Sequence, residues 1–347
     1  MLKKYLVLIL FLSVNFQLFS EQKKYRIHTL AFYNVENLFD TINDVNKNDE
    51  ASPIMEMNYN RSKVYNKKLL NTSKVISGIG LDETKNLPTI VGLCEVENRK
   101  VIEDLISTEA LKGGNYGISH FDSPDERGID VALIFRKSFF KVIDEKSMYL
   151  NIYDKTRNRQ DYTRDQLVVK GELEGDIIYI IVNHWPSRSG GESRSRPLRN
   201  KAAELNKFII DSIQNIDRKA KIITMGDFND DPTNESIKEI LNANNSKDDT
   251  KINELYNPME DMHKKGMGTL AYRDNWNLFD QILLTGSLIN SSYKSFSYYQ
   301  SKIYDRKFLF NQSGRFKGYP FRSFAGGSFL DGYSDHLPVY ILLIREL

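Results

Sequence analysis

Six apolar runs in this chain each end or begin on a polar motif. Four motifs follow their run: Ala31-Phe32-Tyr33-Asn34, Ile90-Val91-Gly92-Leu93-Cys94-Glu95, the run from 177 into Asn183-His184, and Ile222-Ile223-Thr224-Met225-Gly226-Asp227-Phe228-Asn229. Two lead into it: Asp280-Gln281-Ile282-Leu283-Leu284, and Ser334-Asp335-His336-Leu337-Pro338 ahead of the run 339–344. Continuous Ile/Val/Leu runs of this length predict buried strands. If the last two strands run antiparallel to the other four, all six polar ends meet at one edge. Further strands are predicted at 131–135, after Gly128, and at 167–169. Helical stripes lie between the runs: Tyr65, Leu69, Ile76 and Ile79, then Val101, Ile102, Leu105 and Ile106, then Leu205, Ile209, Ile210 and Ile213. Pro197 is placed to start the third helix, and Asn234 reads as the N-cap of a fourth carrying Ile237, Ile240 and Leu241. The stretches 40–60, 242–275 and 291–332 read as long loops. Because the motif-bearing runs span nearly the whole chain, one domain over 21–347 is the economical reading.

The N-terminus differs from the rest. Lys3 and Lys4 precede an apolar stretch over 5–12, and a small residue, Ser20, marks a plausible cut. Eight apolar residues are too few to span a bilayer, which takes roughly 20. The segment 1–20 therefore reads as a secretory signal, and a secreted or periplasmic location is expected. Its removal takes away two lysines and no acid, which leaves the charges of the mature chain balanced. Any polyanion must then be held by local patches, not by a global basic field. The single cysteine, Cys94, excludes an intramolecular disulfide and argues against a cysteine metal site. Inside an apolar run it reads as a small buried hydrophobe.

The six polar ends carry carboxylates, carboxamides and imidazoles that packing does not require. Hydrolysis of a phosphodiester needs neutralised phosphoryl oxygens, an activated water and a stabilised leaving oxygen. A hard divalent cation on carboxylates serves the first need and helps the third. Glu95 is the first candidate ligand, Asp335 a second, and Asn34 offers a neutral group to metal or phosphate. Asp227 and Asn229, at i and i+2 in extended chain, share a face. Asp227 is placed to orient or deprotonate water and Asn229 to donate to the transition state. The imidazoles need orienting partners, so His336 is matched with Asp280 and His184 with Asp130. His28, His120 and His263 sit in no such motif and receive no role. Arg188, Arg194, Arg196, Arg199 and Lys201 follow His184 directly, with Arg164 ahead of the strand at 167–169. With Gly190-Gly191 they read as a phosphate clamp centred on Arg188, or else as a solvated face. The aromatic loop 291–332 is either packing its own rings or a platform for stacked bases.

These motifs, in this order, resemble the endonuclease/exonuclease/phosphatase superfamily, the DNase I-like fold. The resemblance runs from about residue 26 to 346. It rests on Asn34 in Phe-Tyr-Asn-Val-Glu-Asn, Glu95 in Cys-Glu-Val-Glu-Asn and His184 in Asn-His-Trp-Pro-Ser. Asp227 and Asn229 in Gly-Asp-Phe-Asn, Asp280 before its strand, and Asp335-His336 in Ser-Asp-His complete it. It implies an α/β (α+β) fold, a four-layer α/β/β/α sandwich of two mixed, mostly antiparallel sheets flanked by helices. It also implies Mg²⁺ (or Mn²⁺, with Ca²⁺ in some members) and hydrolysis without a covalent intermediate. By the same resemblance Arg164 matches an arginine that contacts substrate phosphate. The chain departs from the pattern at Cys94, where glutamine is usual, and in lacking the cysteine pair of animal secreted nucleases. It looks most like the secreted bacterial members labelled endonucleases. The expected function is a metal-dependent endonuclease on DNA, or on DNA and RNA. The alternative is a phosphomonoesterase or phospholipid-headgroup phosphodiesterase, since one scaffold hosts both chemistries. Nucleic acid is the expected partner, and no stable protein partner is predicted.

Overall fold

The computed structural model describes residues 23–154, 158–289 and 292–347. The leader expected over 1–20 lies outside them. Twelve strands form two six-stranded sheets. In chain order they are β1 (Tyr25–Leu38), β2 (Ile90–Val96), β3 (Tyr116–His120), β4 (Asp130–Arg136), β5 (Phe140–Met148), β6 (Gln166–Leu173), β7 (Asp176–His184), β8 (Lys221–Asp227), β9 (Leu255–Tyr256), β10 (Asp280–Thr285), β11 (Ser297–Ile303) and β12 (Val339–Glu346). The first sheet is ordered β11-β12-β1-β2-β4-β3 and the second β9-β10-β8-β7-β6-β5.

Each sheet has a parallel pair at its centre, β1 with β2 and β7 with β8. Beside that pair runs an antiparallel strand that begins at the polar edge, β12 in one sheet and β10 in the other. The carboxyl ends of four strands and the amino ends of two therefore converge, as the alternation of motifs predicts. Side-chain period then separates the layers. Along the second sheet Ile180, Val182, Ile223, Met225, Ile282 and Leu284 join the core shared with the first sheet. Their neighbours Ile181, Ile222 and Leu283 turn outward beneath α3 (Glu192–Ile216), against Ile209, Ile210 and Ile213. On the far side α1 (Arg61–Gly78) and α2 (Arg99–Ile106) cover the first sheet with Val75, Ile76, Val101, Ile102 and Leu105. The result is the four-layer α/β/β/α sandwich.

Three local expectations change. The third helix starts at Glu192, so Pro197 lies inside it. Glu192 bonds Arg196 and Arg199 and so stitches the first turns together. Beyond Asn234 the chain makes one π-helical turn, Ser236–Ile240, and the Asn234 side chain accepts from Asp231 N and Arg188 instead of from the turn. The loop 291–332 contributes the edge strand β11 and uses most of its rings in packing. Phe308 and Phe321 meet Tyr333 at 5.0 and 6.3 Å between ring centres, and Phe310 meets Trp276 at 6.4 Å. Among the described residues no helix is long and apolar enough to cross a membrane.

His28 shows why a histidine outside the motifs can be structural. Its ring lies between Phe139 and Phe296, with Nδ1 2.8 Å from Thr89 Oγ1 and Nε2 3.2 Å from Glu174. Burial lowers its pKa below the ordinary 6.5 despite Glu174. The unfolded chain then binds the extra proton, so stability rises with pH up to about 6.5 and falls on the acid side. The acid-side slope of Tm between about pH 5 and 7 is expected to flatten in His28→Gln; an unchanged slope assigns it to other groups.

Candidate active site

The site forms where the two sheets end. In β2 the register slips between Cys94 and Val96, so Glu95 is the extra residue of a bulge, with φ of 61°. A left-handed backbone is uncommon for glutamate, and a bulge at a sheet end re-aims its side chain. Here both carboxylate oxygens are held: Oε1 accepts Asn34 Nδ2 at 3.1 Å and Oε2 accepts Asn37 N at 2.9 Å. Asn34 also donates from Nδ2 to Asp227 Oδ2 at 3.1 Å, while its own oxygen accepts Glu36 N. The side chain expected to offer its carbonyl or amide to metal or phosphate presents its amide hydrogens to two carboxylates. Asp227 sits at the end of β8 opposite His184 on β7 and Asp280 on β10. Gly226 allows this crowding, since a Cβ there would lie 2.5 Å from the backbone oxygen of Asn183.

His336 Nδ1 lies 2.7 Å from Asp280 Oδ2, and its Nε2 faces Asp227 Oδ2 at 3.9 Å. His184 Nε2 reaches the same Asp227 oxygen at 3.7 Å and Glu95 Oε1 at 4.0 Å. Asp227 Oδ2 is thus flanked by both imidazoles and by Asn34. The proposed partner of His184 is not there. Asp130 Oδ2 lies 3.0 Å from His120 Nε2 and Oδ1 accepts Ser123 N at 2.8 Å, and His184 Nδ1 is buried without a hydrogen bond among the described residues. The reason is sheet order. His120 ends β3 directly beside β4, where it pairs with Ala132, two residues from Asp130. Asn229, in the left-handed region at φ 51°, donates Nδ2 to Trp185 O and its backbone N–H to Asp227 Oδ1. Arg164 is buried, bound to Trp185 O at 2.7 Å and Asp125 at 3.2 Å.

The chain matches the family model described as Endonuclease/Exonuclease/phosphatase family over residues 29–345. It belongs to that family. No functionally curated sequence matches it. Among solved structures, D. rerio TDP2 complexed with a single-strand DNA product aligns at 14% identity and TM-score 0.51, covering 91% of this chain and 98% of the other. The human Nocturnin catalytic domain with bound sulfate aligns at 16% and 0.52, covering 94% and 97%. The Bacteroides thetaiotaomicron mannosyl-6-phosphatase Bt3783 aligns at 15% and 0.51, covering 91% and 99%. At such identities these likenesses show the fold.

The family consists of phosphoester hydrolases, typically dependent on a divalent metal, and the electrostatics of this site suit one. Burial raises the Asp227 carboxyl to about 6, with Asp280 and Glu95 adding repulsion that His336 partly offsets. Burial disfavours charge on both imidazoles, but with opposite outcomes. Asp280 and Asp227 overcome it at His336 and hold the imidazolium well above its usual range. At His184 the guanidiniums of Arg164 and Arg127 add to burial and keep the ring neutral. Asp280 Oδ1 is buried without a hydrogen-bond partner among the described residues. Converging carboxylates form the donor set of a hard cation; atoms of Asp227 and Asp280 lie within 4.8 Å of one another and of His336, whose imidazolium has no lone pair for a metal. Cys94 is as near to His184 and Asp227, but burial pushes its thiol up and leaves it neutral. Asp335 lies at the mouth, bound to Arg322 at 3.1 Å.

The expected arginine clamp takes another form. Arg188 binds Asp230, Asp231, Asn234 and the Asn229 carbonyl, and stacks on Phe279 at 4.4 Å. Arg199 is buried against Asp230 and Arg196 bonds Glu192. Three acids that sequence reading left unassigned claim these cations, so Arg188 props the Asn229 loop. Also missed was the pair Glu36 and Lys68, both 1% exposed beneath the site. Burial raises Glu36 to about 7 and lowers Lys68 to about 8.

Proposed function

We propose that this chain is a metal-dependent phosphodiester hydrolase, a secreted or periplasmic endonuclease that cleaves DNA, or DNA and RNA, by attack of an activated water. The observation that carries this reading is the placement of Asp227 Oδ2 within 4 Å of both imidazoles, one protonated and one neutral. One cationic and one neutral imidazole around a single carboxylate suit proton transfer to and from an in-line displacement. Glu95 and Asp335 would hold Mg²⁺ (or Mn²⁺), with Asn34 fixing the Glu95 carboxylate. When bound, the cation supplies charge neutralisation on the phosphoryl oxygens. Asp227 takes the proton of the attacking water. His336, aligned by Asp280, donates to a phosphoryl oxygen as its charge grows. Neutral His184 donates a hydrogen bond to the leaving oxygen, which then takes its proton from solvent, and Asn229 and Arg164 fix the Trp185 backbone beside it. Asp130, bound to His120, has no part in this scheme. The apolar leader at 5–12 supports export.

One observation favours the second reading, a phosphomonoesterase or phospholipid-headgroup phosphodiesterase. Arg188, Arg196 and Arg199 are paired within the protein, so they offer no open basic track for a long polyanion. Supercoiled-plasmid nicking by the chain from residue 21 separates the two. Nicking is expected in Mg²⁺, abolished by EDTA and reduced at least about a thousandfold in Glu95→Ala. No nicking in Mg²⁺, Mn²⁺ or Ca²⁺, with turnover of a phosphomonoester or phospholipid, moves the assignment to the second reading.

A further inference from the structure

Beneath the mouth of the site lies a charged cluster with no part in the scheme above. Glu36 Oε2 accepts Ser323 N at 2.5 Å, and Oε1 accepts Phe324 N at 3.3 Å. Lys68, from α1, reaches Val35 O at 2.5 Å, Tyr333 O at 2.8 Å and the Ser323 hydroxyl. Asn71, one turn on, holds the backbone oxygens of Asp331 and Gly332 at 3.1 and 2.9 Å. Burying two opposite charges is costly unless geometry and hydrogen bonding compensate. Here both partners are directed at one segment, residues 321–334, which is thereby fixed to the end of β1.

That segment carries Arg322. Its Nε donates to Glu36 Oε1 at 3.3 Å and its Nη2 to Asp335 Oδ2 at 3.1 Å, while the side chain stays 47% exposed. Glu36 accepts two backbone N–H groups, and Arg322 adds a third bond along its edge. The two bonds engage Nε and Nη2 and leave Nη1 without a hydrogen bond among the described residues. The bond to Asp335 places Arg322 beside a candidate metal ligand. A planar fork held by one edge with its end open is suited to phosphoryl oxygens.

We propose that Arg322 is a substrate-phosphate anchor beside Asp335 at the strand-end site, held in position by Glu36 and Lys68. It approaches from the β1–β12 side, whereas Arg164 lies on the β6–β7 side with its fork bound to Asp125 and Trp185. The ligand class is a phosphoryl group carrying free non-bridging oxygens. This rests on the phosphoester-hydrolase reading of the same site.

The test is calorimetric titration of the full chain with inorganic phosphate in Mg²⁺ buffer, alongside steady-state kinetics on a chromogenic phosphodiester. Arg322→Met keeps the aliphatic stem and removes the fork. It is expected to weaken phosphate binding and raise KM by about tenfold, with kcat within about threefold. Arg322→Lys is expected to recover part of both, because it restores charge without the fork. Equal phosphate affinity in folded wild type and Arg322→Met overturns the proposal. So does a fall in kcat at unchanged KM, which would mean that Arg322 acts only through Asp335. A wild type that binds phosphate through Arg322 yet hydrolyses no phosphoester would sink the reaction and leave the anchor standing.

Discussion

Asp227→Asn is expected to reduce kcat by about a thousandfold or more while leaving the fold as stable as wild type in EDTA. The first half follows from position. Asp227 Oδ2 accepts from Asn34 and faces His184 and His336 at 3.7 and 3.9 Å, and an amide there can neither take a proton nor balance the imidazolium. The second half follows from two opposed effects. Substitution sets an amide group against Asn34 Nδ2 or against the Asn229 N–H, losing one buried hydrogen bond of about 1–3 kcal/mol. It also removes a charge that the folded state disfavours, since the carboxyl rises to about 6. A carboxyl with a raised folded pKa costs stability progressively as pH climbs from its unfolded value near 4 to about 6, and the full cost of ionisation applies above that. The two effects are of similar size and opposite sign. Stopped or coupled assays give kcat, and thermal melts in EDTA give stability. A variant that melts many degrees lower yet turns over at a near wild-type rate would show Asp227 to be structural, and the proton route would need another acceptor.

The strand ends were legible because burial on both faces leaves long apolar runs whose polar termini stand out, as at Asp227 and His336. The direction of β10 and β12 was legible from which end of each run carries the motif. Pairing across the site was harder. His336 and Asp280 are matched correctly because both begin strands at the same edge. His184 is mismatched with Asp130 because β3, read in sequence as Tyr-Gly-Ile-Ser-His, lacks an apolar run and goes unseen, and with it the claim of His120 on Asp130. Recognising β3 would have supplied the signal, since its register with β4 sets residue 120 against 132. Arg188 and Lys68 fail for a different reason. Each sits among other basic residues, Arg194 and Arg196 in one case and Lys63 and Lys67 in the other. Which member of such a group turns inward depends on an acid supplied from elsewhere in the fold, Asp230 or Glu36, and no local pattern encodes that.

Combining His336→Ala with Asp280→Asn is expected to give an enzyme no slower than His336→Ala alone, but more stable. His336→Ala should lower kcat by about a thousandfold and Asp280→Asn by about a hundredfold. If the carboxylate acts only by holding the ring, its loss adds nothing once the ring is gone, and the two effects are strongly non-additive. Stability should move the other way. Asp280 is fully buried, with Oδ1 lacking a hydrogen-bond partner among the described residues and Oδ2 bound to His336. Removing the imidazole strands that charge beside Asp227, and breaking a buried pair in this way typically costs about 3–5 kcal/mol. Neutralising Asp280 in the same molecule removes the stranded charge, so the double variant should melt above the single one in EDTA. If instead the effects on kcat multiply and the double variant is the least stable of the three, Asp280 acts directly on metal or water, and His336 is its neighbour rather than the group it positions.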